Sequence, residues 1–127
     1  MCLTTRKSYK ELPAQTDLPI TKKEVIVYKG LDSLCTKKDK SGKRVTIAYS
    51  PHRAMKYIKG YHYTEKTLRY NTGAGGYLNF NQGLHACTSA KKARTHGVHV
   101  VQMIIPAGSI LVHGSRQDVV TNNLIWY

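Results

Sequence analysis

Acidic residues are scarce in this sequence, and the scarcity bears on both its partners and its chemistry. Seven Asp and Glu stand against twenty Lys and Arg among 127 residues, a formal net charge of +13. This balance favours polyanionic partners such as nucleic acid, nucleotide phosphates or an acidic protein surface. It also leaves few carboxylates that could orient a catalytic side chain.

Long apolar runs are absent as well. No stretch approaches the roughly 18–20 apolar residues that a membrane helix needs, and the first residues lack the apolar centre of a signal peptide. We therefore expect a cytoplasmic protein with no membrane partner. The length fits one core, and the prolines and few apolar residues of 1–22 predict an extended N-terminal arm before a single domain at 23–127.

Cysteine is rare too. Cys2, Cys35 and Cys87 are odd in number and widely spaced, which argues against a disulfide framework. Free and mostly buried thiols are expected.

The positive charge is concentrated in one part of the chain. Residues 36–69 hold ten basic residues and two acids, whereas residues 98–127 hold one of each. The asymmetry predicts one electropositive face beside a neutral, packed half. The candidate polyanion-binding residues of that face are Lys37, Lys38, Lys40, Lys43, Arg44, Arg53, Lys56, Lys59, Lys66 and Arg69.

Five tyrosines interleave with these bases: Tyr49, Tyr57, Tyr61, Tyr63 and Tyr70. Basic side chains that hold a phosphate backbone, beside rings that stack on bases, suit a single-stranded nucleic acid. The alternative is that the tyrosines complete the core beneath a basic surface.

The strand signals predict an α+β domain with a mostly antiparallel sheet. Residues 24–29 and 44–50 are rich in β-branched residues and predict a hairpin with a basic turn at 36–43. The most apolar strand, at 98–105, is placed at the centre of the sheet. Further expectations are extended chain at 55–63, a glycine-rich loop at 71–83, and closing strands at 109–114 and 118–127.

One short helix is predicted at about 89–96, within the stretch GLHACTSAKKARTHG. Thr88 or Ser89 can cap its start, and Ala90 and Ala93 are expected to face inward. Gly97 is expected as a left-handed stop.

The same stretch raises two chemical alternatives. His85 and Cys87 share a strand face, and His96 and His99 follow, but this spacing matches no established zinc ligand set, so no metal is predicted. Cys87 beside a helix N-terminus could be a thiolate paired with His85.

The order VYKGL, GLHA, IIPAG and DVVTNNLIWY resembles a set of small uncharacterised proteins from bacteria and their phages. The matching parts are Met1 to Leu3, Tyr28-Lys29, Ser50-Pro51 with Tyr57 and Gly60, Gly83 to Ala86, Ile105 to Gly108, and Asp118 to Tyr127. This resemblance implies a phage-type accessory protein, located in the host cytoplasm or the virion.

Residues 83–97 also resemble, more distantly, the middle motif of ADP-ribosyltransferases through Gly83, Leu84, His85, Thr88, Ala93, His96 and Gly97. That resemblance implies NAD as cofactor, in a pocket between the Tyr28-Lys29 strand and the His85 corner. Lys29 then stands where the family has Arg or His, and Asp118 where it has a catalytic Glu. The implied catalytic residues are Lys29, His85 and Asp118.

Two functional hypotheses result. The first is a small basic, non-catalytic accessory protein that binds nucleic acid or an acidic protein and needs no cofactor. The alternative is an NAD-using enzyme on an ADP-ribosyltransferase-like scaffold.

Overall fold

The computed structural model describes residues 3–51 and 55–127, and strands dominate both ranges. Within them there is one α-helix, α1 (Ala90–Ala93), and there are 3-10 turns at Gln15–Asp17 and Ala74–Gly76. The strands are β1 (Leu3–Ser8), β2 (Val25–Lys38), β3 (Arg44–Tyr49), β4 (Lys56–Ile58), β5 (His62–Thr64), β6 (Arg69–Thr72), β7 (Tyr77–Gln82), β8 (Leu84–Cys87), β9 (His99–Ile105), β10 (Leu111–His113), β11 (Asp118–Thr121) and β12 (Asn123–Ile125).

The strands pair antiparallel and form two sheets. The larger sheet has the order β10-β11-β8-β2-β9-β12-β5, and β3 joins it by pairing with β2 and β4. The smaller sheet has the order β1-β7-β6. The predicted class, a mostly antiparallel sheet with one short helix, is confirmed at this level.

Strand β11 separates two groups of buried side chains. Val119 packs with Val27, Met103 and others in one group, while its neighbour Val120 packs with Phe80 and others in the second. Successive side chains of a strand point to opposite faces, so one short apolar strand contributes to both groups. All four residues of β11 are buried.

The two halves of β2 have different partners. Val25 to Leu31 pair with β9, whereas Asp32 to Lys38 pair with β3. A register shift between Asp32 and Cys35 includes Ser33, whose φ is +56°. Such a bulge bends a strand and increases its twist, and here it marks the change of partner.

A hairpin with β3 is present, but its other strand is residues 32–38 and not the predicted residues 24–29, which pair with β9. Its turn is also shorter than expected. Residues 36–38 belong to β2, so the turn spans residues 39–43 instead of 36–43. The Asp39 side chain stabilises this short turn by accepting three hydrogen bonds of 2.6–3.0 Å. Two come from Ser41 and one comes from the Lys43 backbone.

Strand β9 lies inside the larger sheet, between β2 and β12, as predicted for residues 98–105. The extended reading of residues 55–63 is also correct, since β4 and β5 flank a turn at Gly60, whose φ is +95°. The glycine-rich loop prediction for residues 71–83 is wrong. Most of these residues form the β6–β7 hairpin around the Ala74–Gly76 turn.

The helix is shorter than predicted, with α1 at Ala90–Ala93 followed by a turn to residue 96. Ser89 is the cap, and its hydroxyl accepts a hydrogen bond from the Lys92 backbone at 3.2 Å. Ala93 is fully buried, but Ala90 is exposed, contrary to the expectation that both face inward. No helix in the described ranges is long and apolar enough to cross a membrane.

The N-terminal residues pack against the rest of the protein. Strand β1 pairs with β7, and Thr5 bridges to Gly114 beyond β10. Leu3 and Leu18 are buried with Phe80. The expected arm is therefore extended at β1 and takes part in the second group of buried side chains.

Candidate functional site: a cleft between two strands and a basic ribbon

A cleft opens where β8 separates from β2. The two strands are paired at Tyr28 and Cys87, and beyond that point the Lys29 side chain reaches across to the backbone of β8. The cleft has a volume of about 60 Å³, room for about two water molecules at the density of the liquid. Its polar lining residues include Lys29, Ser50, Glu65, His85 and His96.

Lys29 forms one wall of the cleft. Its ammonium group donates a hydrogen bond to the His85 carbonyl and lies 5.1 Å from the centroid of the Tyr57 ring. Tyr57 itself is 2 % exposed. A carbonyl and the face of a ring both stabilise a partly buried cation, so Lys29 brings a positive charge into the cleft at a fixed position.

His85 and His96 enter the cleft from either end of the α1 region. The Nδ1 atom of His85 lies 3.0 Å from the Gly83 carbonyl. Because a carbonyl can only accept, Nδ1 carries the hydrogen of this bond. This contact fixes the orientation of the ring on β8.

His96 is placed by a close approach of two glycines. A side chain at Gly30 would clash with the Ala93 carbonyl and lie 2.7 Å from the Gly97 nitrogen. One at Gly97 would lie 2.5 Å from the carbonyl carbon of Gly30. Gly97 is thus needed for contact with β2 and has no positive φ, so the prediction of a left-handed stop is wrong.

Asp118 does not line this cleft, although it is the cross-strand partner of Cys87, which does. Its side chain is 5 % exposed, and one carboxylate oxygen accepts a hydrogen bond from the Arg116 backbone at 3.2 Å. A side chain at Gly114 would collide with the same carboxylate. The structure thus brings Lys29 and His85 together, while Asp118 stabilises the β10–β11 turn.

The acid that lines the cleft among the described residues is Glu65, which sequence reasoning missed. Its position depends on β5, which pairs with β12 and is extended by a hydrogen bond from the Glu65 backbone to Asn122. This pairing joins residues about sixty positions apart. No local pattern in the sequence signals it.

Cys87 is not the thiolate that its place before a helix predicts. The side chain is 3 % exposed, and burial, together with the nearby Asp118 charge, raises the pKa of its thiol. Lys29 and Lys92 oppose this shift only in part. Cys87 is therefore a neutral thiol at pH 7.

Among the described residues, the histidines and cysteines do not form a cluster with metal-ligand geometry. In residues 3–51 and 55–127, no three His, Cys, Asp or Glu side chains are grouped so that they could hold an ion. His85, Cys87 and His96 all border the cleft, but His99 is exposed at the start of β9.

Seven of the predicted polyanion-binding residues share a second surface, which we call the basic ribbon (residues 35–49 and 56–59). It consists of the second half of β2, β3, β4 and the turns beside them. Its bases are all exposed: Lys37, Lys38, Lys40, Lys43, Arg44, Lys56 and Lys59. Lys66 follows β5 and Arg69 begins β6, so these two belong to other elements, and Arg53 lies outside the described residues.

Asp39, the acid within the basic ribbon, is hydrogen-bonded within the turn that it begins. Hydrogen bonds from the Ser41 side chain and from the Lys43 and Ser41 backbones hold the pKa of Asp39 below its usual value. Its carboxylate organises the loop that presents Lys40 and Lys43.

Three of the five candidate tyrosines complete the core. Tyr57 and Tyr63 meet edge to face with ring centroids 4.9 Å apart, and Tyr70 meets Phe80 at 4.8 Å. Burial raises the pKa of both Tyr63 and Tyr70. Tyr61 remains exposed, so the core alternative holds for most of this set.

No family model, curated protein or solved structure matches this chain.

Proposed function

We propose that this protein binds nucleic acid through the basic ribbon. The observation that carries the proposal is the grouping of seven exposed bases on one antiparallel ribbon, which contains Asp39 and is bordered by Asp32. Phosphate contacts supply most of the sequence-independent affinity of such proteins. Two-stranded ribbons and basic grooves are both known ways to follow a nucleic-acid backbone.

The arrangement within the ribbon supports contact with several phosphates at once. Lys38 and Arg44 are direct cross-strand partners, a geometry that places their Cβ atoms about 5 Å apart. Like charges at this separation repel each other, and a bound polyanion relieves the repulsion.

The test removes four charges from the ribbon and four from elsewhere. One variant carries Lys→Gln at Lys37, Lys38, Lys40 and Lys43, and the matched control carries Lys→Gln at Lys10, Lys22, Lys23 and Lys91. All eight side chains are exposed, and each variant lowers the formal net charge from +13 to +9. Binding of a labelled oligonucleotide is measured by anisotropy across about 50–200 mM salt.

We expect the ribbon variant to lose affinity and to show a shallower salt dependence, by about 0.7 in the log–log slope for each single-strand phosphate contact removed. The control variant should keep an affinity and a salt dependence close to those of the wild type. Equal losses of affinity in the two variants would show that binding depends on net charge and not on the ribbon. No binding at about 50 mM salt would exclude nucleic acid and leave an acidic protein as the partner of the ribbon.

The second candidate is an NAD-using enzyme of the ADP-ribosyltransferase type, favoured by the meeting of Lys29 and His85 in one cleft. The fit to NAD is incomplete. The volume of about 60 Å³ is small for a dinucleotide, and Asp118 does not line the cleft. Glu65 is the carboxylate positioned to take its place.

Transfer of label from NAD to proteins of a host lysate tests this candidate. Glu65→Gln should abolish transfer if the cleft is the active site, and Asp118→Asn serves as the comparison. Loss only in the Asp118 variant would contradict the role of Glu65. Absence of both transfer and an NAD-dependent thermal shift would exclude the enzyme.

A further inference from the structure

A shallow groove lies beside the basic ribbon, formed by Leu34, Thr46, Lys59, Gln102, Trp126 and Tyr127. We call it the C-terminal groove. Its volume of about 370 Å³ is in the range of pockets that hold small organic groups. Thr46 and Lys59 belong to both surfaces, so the groove and the ribbon are continuous.

Three bases of the ribbon are on the same side as this groove, whereas Lys37 and Lys56 pair with alternate positions of β3 and lie on the opposite face. Thr46 alternates with Arg44 along β3, and residues two apart in a strand share a face. Lys38 is the direct partner of Arg44 and shares that face as well. Three cations, Lys38, Arg44 and Lys59, therefore lead along the ribbon to the groove.

The groove carries an accessible aromatic ring in a fixed position. Tyr127 is 51 % exposed, and its hydroxyl accepts a hydrogen bond of 2.8 Å from the Gln102 amide. Trp126 beside it is 4 % exposed and anchored in the core. A ring held by a hydrogen bond loses little freedom when another ring stacks on it.

We infer that the C-terminal groove stacks unpaired bases of a single-stranded nucleic acid whose backbone lies along the basic ribbon. The inference rests on the proposed function and specifies its ligand. The faces of paired bases are covered by their neighbours in a duplex, whereas single strands present them to aromatic side chains. Charge along the ribbon and an exposed ring at its end together match this ligand.

The experiment compares Tyr127→Leu, which removes the aromatic face, with Tyr127→Phe, which keeps it. The probes are an oligothymidylate of about 20 nucleotides, longer than the ~4–16 that such sites cover, and inorganic polyphosphate, which has charge but no bases. We expect Tyr127→Leu to weaken oligothymidylate binding about 5- to 150-fold with an unchanged salt slope. Tyr127→Phe keeps the ring and loses only the hydrogen bond from Gln102, so it should weaken binding far less than Tyr127→Leu. Polyphosphate should bind all three proteins equally.

Trp126 is the single tryptophan and gives a direct signal. Oligothymidylate should change its fluorescence, and polyphosphate should not. Wild-type affinity of Tyr127→Leu for oligothymidylate would overturn the stacking site while leaving the ribbon proposal standing. Failure of both probes to bind the wild type would overturn both proposals.

Discussion

Lys29 is a cation on the core side of an interior strand. It alternates with Val27 and Leu31, which are both fully buried. A charge at such a position is costly unless its partners are fixed, and the His85 carbonyl and the Tyr57 ring provide two of them. The resemblance to transferases predicted a role for Lys29 at the cleft, and the structure adds the contacts that hold it there.

The contrast between Asp118 and Glu65 comes from the direction of each side chain. Asp118 occupies a strand position in β11, but its carboxylate accepts a backbone hydrogen bond in the β10–β11 turn. Glu65 follows a three-residue strand with no apolar pattern of its own. A sequence motif can suggest which acid is catalytic, but the pairing of distant strands determines which acid lines the cleft.

The raised pKa of the Cys87 thiol predicts a pH dependence of stability. In the unfolded chain the thiol ionises near its ordinary value of 9.0, whereas the folded protein retains the proton to higher pH. The contribution of the protonated thiol to the free energy of unfolding is therefore complete below about pH 9. It is lost as the pH rises through the pKa of the folded protein. We expect the free energy of unfolding to fall more steeply above pH 9 in the wild type than in Cys87→Ala.

Urea unfolding at intervals between pH 7 and pH 10 measures this difference, with Cys35→Ala as the matched control. Cys35 is only partly buried, and its variant should keep the wild-type pH profile. Alkylation of Cys87 by iodoacetamide as fast in the native protein as in the unfolded chain would contradict the burial argument.

Among the elements, β2 shows what a strand pattern reveals and what it hides. The β-branched residues at its start predicted the first part of β2, and the alternation of residues 44–50 predicted β3. The bulge around Ser33 was not predicted, because a serine with positive φ has no reliable sequence signature. At that bulge the pairing partner of β2 changes from β9 to β3, and this change positions the basic ribbon.

Strand β1 contributes to the core, although the sequence predicted only an extended arm at residues 1–22. Leu3 is fully buried against the second group of core side chains, whereas Leu12, in the same N-terminal region, is 56 % exposed. We expect Leu3→Ala to lower the free energy of unfolding by about 2–5 kcal/mol. Leu12→Ala should change it by less than about 0.5 kcal/mol.

Denaturant unfolding followed by circular dichroism distinguishes the two leucine variants. Equal stability of Leu3→Ala and Leu12→Ala would show that residues 1–22 are a dispensable arm. A selective loss in Leu3→Ala would establish that β1 is part of the folded unit.

At the scale of the whole molecule, the distribution of charge has a structural counterpart. The neutral segment at 98–127 supplies β9, β11 and β12, which include Met103, Val119 and Leu124, all fully buried. The basic segment supplies the ribbon, whose charged side chains stay exposed. Exposed positive charge and buried apolar packing are thus divided between two parts of one sheet.

The sequence by itself determined the class of fold, the interior position of residues 98–105 and the concentration of positive charge. These depend on composition and on periodicity within one segment, which act locally. Tertiary structure alone decided that Glu65 and not Asp118 lines the cleft with Lys29, that Gly97 packs against Gly30, and that Tyr127 and Lys59 line one groove. Each of these contacts joins residues far apart in the chain, and strand pairing, which no local pattern encodes, brings them together.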